Sequence, residues 1–152
     1  MNIYLDTCAL NRLTDDRSQP RIREELEAIF GVLDAVSLGH IRWIASSAIK
    51  FELERKRNPV QRQAALDFLT FASEYVLPTE ATFRRAQNLE SLGYGAMDSL
   101  HLAIAEQAKV DALLTVDDRF LSRAARGEGN PTVPVLNPID WLRRRRPWRL
   151  TR

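Results

Sequence analysis

Four acidic residues stand where a carboxylate could do chemistry rather than merely solvate a surface: Asp6, Glu52, Asp98 and Asp117. Asp6 closes the apolar run Ile3-Tyr4-Leu5, and Asp117 follows Ala112-Leu113-Leu114-Thr115-Val116, so each reads as the acid at the end of a buried strand. Asp98 lies in a stretch where Ala96, Leu100, Ala103 and Ile104 recur at helical spacing after Gly95. It falls in the first turn, where free N–H groups and the macrodipole favour an anion. Glu52 belongs to a helix begun by Ser46 and Ser47 and is read as lying near that helix's start. Several carboxylates in one cleft repel one another, so some take up protons or a cation neutralises them. Hard oxygen donors suit Mg²⁺ or Mn²⁺. His40 and His101 are far apart in sequence and Cys8 is the only cysteine, which leaves no zinc-type cluster. A cation held by carboxylates can activate a water and neutralise charge on a phosphate undergoing displacement. Two of the four have rivals close by. Glu54 is about 200° around a helix from Glu52, so only one of the two faces a given cleft, and Asp118 adjoins Asp117.

The elements that must position these acids alternate in type. Strands are predicted at Asn2 to Asp6, Ile41 to Ala45, Val76-Leu77, Ala112 to Thr115 and Val133 to Leu136. Helices are predicted from a Thr7 cap through Leu13, from Pro20 to about Val36, from Ser46-Ser47 to before Pro59, and over Gln61 to Glu74. Others follow from a Thr79 cap to Leu92, from Gly95 to Glu106, through Ala125, and from Pro138. Alternation of this kind argues a parallel sheet with helices on both faces, in which ligands sit beyond the carboxyl ends of the strands. Asp6 and Asp117 lie at that edge, and the helix starts face it.

The chain of 152 residues is the size of one domain, and 45% apolar residues suffice for one core. No apolar run reaches the roughly 18–20 residues that span a bilayer, and Asp6 interrupts the N-terminal apolar run too early for a signal peptide. With a single cysteine this predicts a cytoplasmic protein without internal disulfides or membrane partners. The net charge of +2 conceals an asymmetry. Six arginines and no acid lie from Arg143 to Arg152, against 16 basic and 20 acidic residues in Met1 to Leu142. The reading is a body over residues 1–142 and a basic tail over 143–152 that could touch a polyanion, with Trp148 as a stacking surface.

The segments Ile3-Tyr4-Leu5-Asp6-Thr7, Ser46-Ser47-Ala48-Ile49-Lys50-Phe51-Glu52-Leu53, Met97-Asp98-Ser99-Leu100-His101-Leu102-Ala103-Ile104-Ala105 and Leu114-Thr115-Val116-Asp117-Asp118-Arg119-Phe120 carry a resemblance. Together, and in this order, they resemble the PIN domain, most closely the VapC-type toxins of VapBC toxin–antitoxin pairs. The resemblance covers Met1 to about Leu142. It implies a parallel sheet of about five strands, an endoribonuclease dependent on Mg²⁺ or Mn²⁺ that leaves a 5′-phosphate and a 3′-hydroxyl, and association with a small antitoxin, frequently as a dimer. Asp6, Glu52, Asp98 and Asp117 match the family's acidic quartet in order, which selects Glu52 over Glu54. The Thr-x-Asp-x-x-Phe spacing selects Asp117 over Asp118. Thr7 and Thr115 match hydroxyl positions that help to orient the acids. His101 is read as a structural, partly buried histidine and Cys8 as a small core residue. Arg12, Arg17, Lys50 and Arg55 are candidate phosphate contacts or ordinary surface charges.

Three other functions compete with the nuclease. A PIN-like binding module without catalysis has no physical need of four clustered acids. A phosphotransfer domain of the haloacid-dehalogenase or response-regulator kind also puts Asp after the first strand, but the dehalogenase pattern wants a second Asp two residues on, and Cys8 stands there. A dinucleotide-binding Rossmann domain wants a glycine-rich turn after the first strand, which is missing. The apolar faces of the helices from Arg21 to Val36 and Gln61 to Tyr75 exceed what a small sheet covers, which predicts a homodimer or an antitoxin complex.

Overall fold

The strands all pair in parallel, and the switch in their order sets the location of the site. The structure is a computed structural model that describes residues 1–145. In chain order the elements are β1 (Asn2–Leu5), α1 (Thr7–Asn11), α2 (Pro20–Ser37), β2 (Arg42–Ser46), α3 (Ser47–Glu54), α4 (Pro59–Leu69), β3 (Glu74–Val76), α5 (Glu80–Ser91), α6 (Ala96–Gln107), β4 (Ala112–Leu114), α7 (Asp118–Ala125), β5 (Val135–Leu136) and α8 (Pro138–Arg144). They form one sheet in the order β3-β2-β1-β4-β5. β1 is central: Ile3 lies opposite Trp43 of β2 on one side and Ala112 of β4 on the other. Its Ile3, Tyr4 and Leu5 are fully buried, as a parallel strand covered on both faces requires.

The chain builds outward from β1 to β3, then returns past β1 to lay down β4 and β5. With right-handed crossovers this reversal sends the helices before and after β3 to opposite faces. β1 and β4 are therefore neighbours at the switch point, and a crevice opens beyond their carboxyl ends. Trp43, Trp141, Tyr4 and Phe120 are the largest fully buried side chains. Burying such groups contributes on the order of 1.5–3 kcal/mol each.

Polar ties fix the helices on which the crevice depends. Glu25 of α2 is wholly buried, and it accepts from Arg12 Nε at 3.2 Å and from Asn137 Nδ2 at 2.8 Å, with Arg21 Nε at 3.5 Å. It thus ties the segment after α1 to the cap of α8 across α2.

Several predicted boundaries shift. The helix expected over Gln61 to Glu74 starts at Pro59, capped by Asn58, and ends at Leu69. Ser73 N donates to Trp43 O at 2.8 Å, and Glu74 pairs with Ile44, so strand pairing claims residues that helical periodicity had assigned to α4. The cap of α1 is Asp6 rather than Thr7. The last strand is only Val135–Leu136, after Pro134, which lacks the N–H a longer ladder needs. α8 runs through Arg144, and Arg143 reaches Glu24 at 3.3 Å, so the basic run begins inside the fold. Residues 146–152, which hold most of the expected tail and Trp148, lie outside the described residues. No described helix is long and apolar enough to cross a membrane.

Candidate active site

Two adjacent strands end in the same device. Asp6 follows β1 in extended conformation and caps α1, its Oδ1 accepting from Ala9 N at 2.9 Å. Asp117 follows β4 and caps α7, its Oδ1 accepting from Arg119 N at 2.9 Å and Phe120 N at 3.2 Å. Thr115 Oγ1 accepts from Asp117 N at 3.2 Å and steadies that turn. An acid between strand and helix is favoured because it satisfies N–H groups that the helix leaves free. The cap uses one oxygen in each case. Asp6 Oδ2 is buried without a hydrogen-bond partner among the described residues, in a residue only 1% exposed.

Asp98 sits in the first turn of α6, where Gly95 at the cap brings no side chain of its own. Glu52 is the sixth residue of α3, in its second turn rather than near its start as the sequence suggested. Its carboxylate is held by a chain of side chains from four elements. Thr7 Oγ1 donates to Glu52 Oε1 at 2.6 Å, and His101 Nε2 lies 2.5 Å from the same oxygen. Tyr4 Oη is 2.7 Å from His101 Nδ1 and 2.7 Å from Ser46 Oγ. With the proton on Nε2, His101 donates to Glu52 and accepts from the Tyr4 hydroxyl, which accepts from Ser46. Every member is then satisfied, as a buried polar network must be. His101 is therefore buried as expected, and it also reaches one of the four acids, which its sequence position did not reveal. The signal was available in part: Tyr4 is a hydroxyl-bearing residue in an otherwise apolar central strand.

Electrostatics show that the acids share one region. Burial raises Asp6 to about 6, only partly offset by His101 and by Thr115 and the Ala9 amide. Burial raises Asp98 to about 7, and the charges of Asp6 and Asp117 push the same way. Burial would also raise Glu52, but the hydrogen bond and charge of His101 and the Thr7 hydroxyl outweigh it and hold Glu52 below its ordinary value. The Cys8 thiol is pushed up to about 12 by burial and by Asp6, Asp98, Asp117 and Glu52 together, so it is a neutral thiol and not a nucleophile. Tyr4, desolvated by burial, is raised well above its usual value and stays a phenol.

A cavity of about 300 Å³ opens beside Asp98 and Asp117. Gly93-Tyr94-Gly95 forms part of its wall, and Arg119, Phe120 and Arg123 line it from α7. Gly93 has φ +106° and the Arg123 guanidinium packs where a Cβ would stand, so glycine is required there. The rivals turn away: Glu54 is exposed near Lys50 Nζ at 3.8 Å, and Asp118 forms a forked pair with Arg21 at 2.7 and 2.8 Å. Of the candidate phosphate contacts, Arg12 is engaged by Asp15 and Glu25, and Arg55 stacks over Phe51 at 4.1 Å.

The donor set fits a hard divalent cation: oxygen ligands only, one of them buried and unpartnered, and carboxylates that raise one another's proton affinity. Among the described residues, no group of three or more His, Cys, Asp or Glu side chains already converges tightly enough to hold a metal ion.

A parallel α/β sheet with carboxylates at the C-terminal edge of its switch-point strands defines a domain built to receive a ligand across β1 and β4. The chain belongs to the PIN domain family, whose model matches residues 3–127. That family is one of nucleases. The fold is similar to that of FitAcB from Neisseria gonorrhoeae, with TM-score 0.56 and 18% identity over 90% of this chain and 97% of that one. It is similar to VapBC2 from Rickettsia felis, solved bound to a DNA fragment from its promoter, with TM-score 0.58 and 15% identity over 90% and 98%. It is also similar to VapC20 from Mycobacterium tuberculosis, a sarcin–ricin loop cleaving toxin, with TM-score 0.60 and 14% identity over 84% and 97%. No curated protein matches the chain.

Proposed function

We propose that this PIN domain is an endoribonuclease dependent on Mg²⁺ or Mn²⁺ and the toxin half of a toxin–antitoxin pair. The observation that carries the reading is Asp6 Oδ2, a buried carboxylate oxygen without a hydrogen bond, in electrostatic contact with Glu52 and Asp98. A buried anion in that state is costly unless a proton or a cation joins it. Asp6, Glu52, Asp98 and Asp117 would hold the cation. When bound, the cation supplies an activated water and neutralises charge on a phosphodiester. Thr7 and His101 fix the Glu52 carboxylate, while the Ala9 amide and the α7 amides fix Asp6 and Asp117.

The toxin reading rests on the family and on the kind of protein the fold resembles. It places the protein in the cytoplasm with an antitoxin on its apolar surface. Phe30, Leu33 and Val36 of α2 and Phe68 of α4, with Phe71, line a groove, and Phe30 and Phe71 are exposed. Light scattering with the product of the neighbouring gene tests this; a monomer unchanged by that protein overturns it, and a homodimer assigns the groove to a second copy.

The catalytic reading is tested by single-turnover cleavage of a structured RNA in Mg²⁺ or Mn²⁺. Asp98→Asn should lose on the order of a hundredfold in rate, as for misplaced groups in general. Full activity of Asp98→Asn, or of the wild type in excess chelator, overturns it.

A further inference from the structure

The cavity beside Asp98 and Asp117 carries two cations of different standing. Arg123 is committed: its Nη1 donates to Glu128 Oε2 at 2.6 Å and to Leu92 O at 3.3 Å, and its guanidinium lies 5.8 Å from the Tyr94 ring. Arg119 lines the same cavity, but among the described residues its side chain has no hydrogen bond, ion pair or ring contact, although Asp117 lies two residues away. Its backbone is nonetheless fixed, because Arg119 N is held by Asp117 Oδ1 at 2.9 Å. An uncommitted guanidinium is thus anchored at its root to the carboxylate that caps α7 and opens into the space that carboxylate faces. Arg21 pairs with Asp118 and Arg85 with Glu106, whereas Arg119 takes up no such partner among the described residues.

We propose that Arg119 is a substrate-binding residue that grips a phosphate of a single-stranded nucleic acid in this cavity, beside the acids that would hold the cation. The inference rests on the reading of this site as one for phosphodiester hydrolysis. A polyanion approaching four carboxylates meets repulsion even after a divalent cation is bound. A guanidinium offers planar, two-point hydrogen bonding to phosphate, and Arg keeps its charge at any working pH. The cavity of about 300 Å³ has room for a phosphate and its sugar linkage, which suits a strand whose backbone is free to bend into it.

The test is anisotropy with a labelled 12-nucleotide RNA in Mg²⁺ over a range of KCl, every protein also carrying Asp98→Asn so that cleavage is slow on the time of the measurement. Wild type, Arg119→Ala, Arg119→Lys and Arg84→Ala are compared, with Arg84 an exposed arginine of α5 outside the cavity. Arg119→Ala should bind about 10-fold more weakly, and the slope of log affinity against log salt should fall by about 0.7, the value for one phosphate contact on a single strand. Arg119→Lys should recover the slope but not the full affinity, and Arg84→Ala should match wild type. Equal affinity and slope for Arg119→Ala and wild type overturn the proposal. So does an equal loss in Arg84→Ala, or a wild type whose binding does not respond to salt. A changed melting temperature in Arg119→Ala with unchanged binding makes Arg119 an internal counterion and also overturns it. Cleavage of the same RNA by the protein that retains Asp98 is read separately: binding that depends on Arg119 without any cleavage sinks the ribonuclease reading and leaves this inference standing.

Discussion

His101 Nε2 lies 2.5 Å from Glu52 Oε1, joining α6 to α3 across the end of the sheet, with the histidine 2% and the glutamate 26% exposed. A buried imidazole thus holds a carboxylate that keeps one edge toward the cleft. Behind it, Tyr4 and Ser46 fix the imidazole from the central strands.

Tyr4→Phe removes the hydroxyl that both His101 Nδ1 and Ser46 Oγ use. It should destabilise the protein by about 1–3 kcal/mol, the cost of leaving a buried polar group unpaired. If the network orients Glu52, single-turnover cleavage should slow by about 10-fold with substrate affinity nearly unchanged. Urea denaturation and cleavage on the same variant check this. Lost stability with an unchanged rate would make the network purely structural.

The raised Asp6 and Asp98 predict a stability cost with a definite sign. Below about pH 3 both groups are protonated in folded and unfolded chains alike, so neither contributes. As pH rises, the unfolded chain ionises first. The penalty on the native state grows until Asp6, at about 6, and Asp98, at about 7, have both lost their protons. In chelator, Asp98→Asn should therefore melt above wild type at pH 8, with the gain fading toward pH 4. Mg²⁺ should raise the wild-type melting temperature more at pH 8 than at pH 5, because protons compete for the same oxygens. Calorimetry at the three pH values reads both effects; a gain in Asp98→Asn that is equal at pH 4 and pH 8 contradicts them.

Glu25→Ala should be among the most damaging substitutions outside the site. It strips Arg12 and Asn137 of a buried anionic partner, and breaking such a pair costs about 3–5 kcal/mol. Glu25→Gln should cost less, since an amide oxygen still accepts from Asn137. Urea midpoints order the three proteins, and a Glu25→Ala midpoint equal to wild type refutes the brace.

Deleting residues 146–152 removes three arginines and leaves α8 whole. RNA affinity should fall and its salt dependence should flatten, while the single-turnover rate at saturation stays near wild type. Cutting after Leu142 instead removes Arg143 and its contact with Glu24, so that shorter chain should also melt earlier. A rate loss as large as that of Asp98→Asn in the longer truncation would refute this division of labour.

The sequence by itself determined the strand–helix alternation, the parallel sheet and the three acids placed at element ends. Those features are local: a buried strand shows as an apolar run, and a capping acid shows at the boundary it satisfies. Asp6 and Asp117 were legible because one residue both ends a strand and caps a helix. Tertiary structure alone decided what depends on long-range pairing. β3 took Glu74 from a helix-like stretch because its N–H and C=O groups had a partner strand to meet, which periodicity within one segment cannot register. His101 gained its contact with Glu52 because the reversal of strand order brings α6 beside α3, two segments 49 residues apart. Arg12 and Arg119 look alike as sequence, both arginines near acids. Folding commits the first to Glu25 and leaves the second uncommitted in a cavity, because which charges meet is fixed by packing between elements and not by their order in the chain.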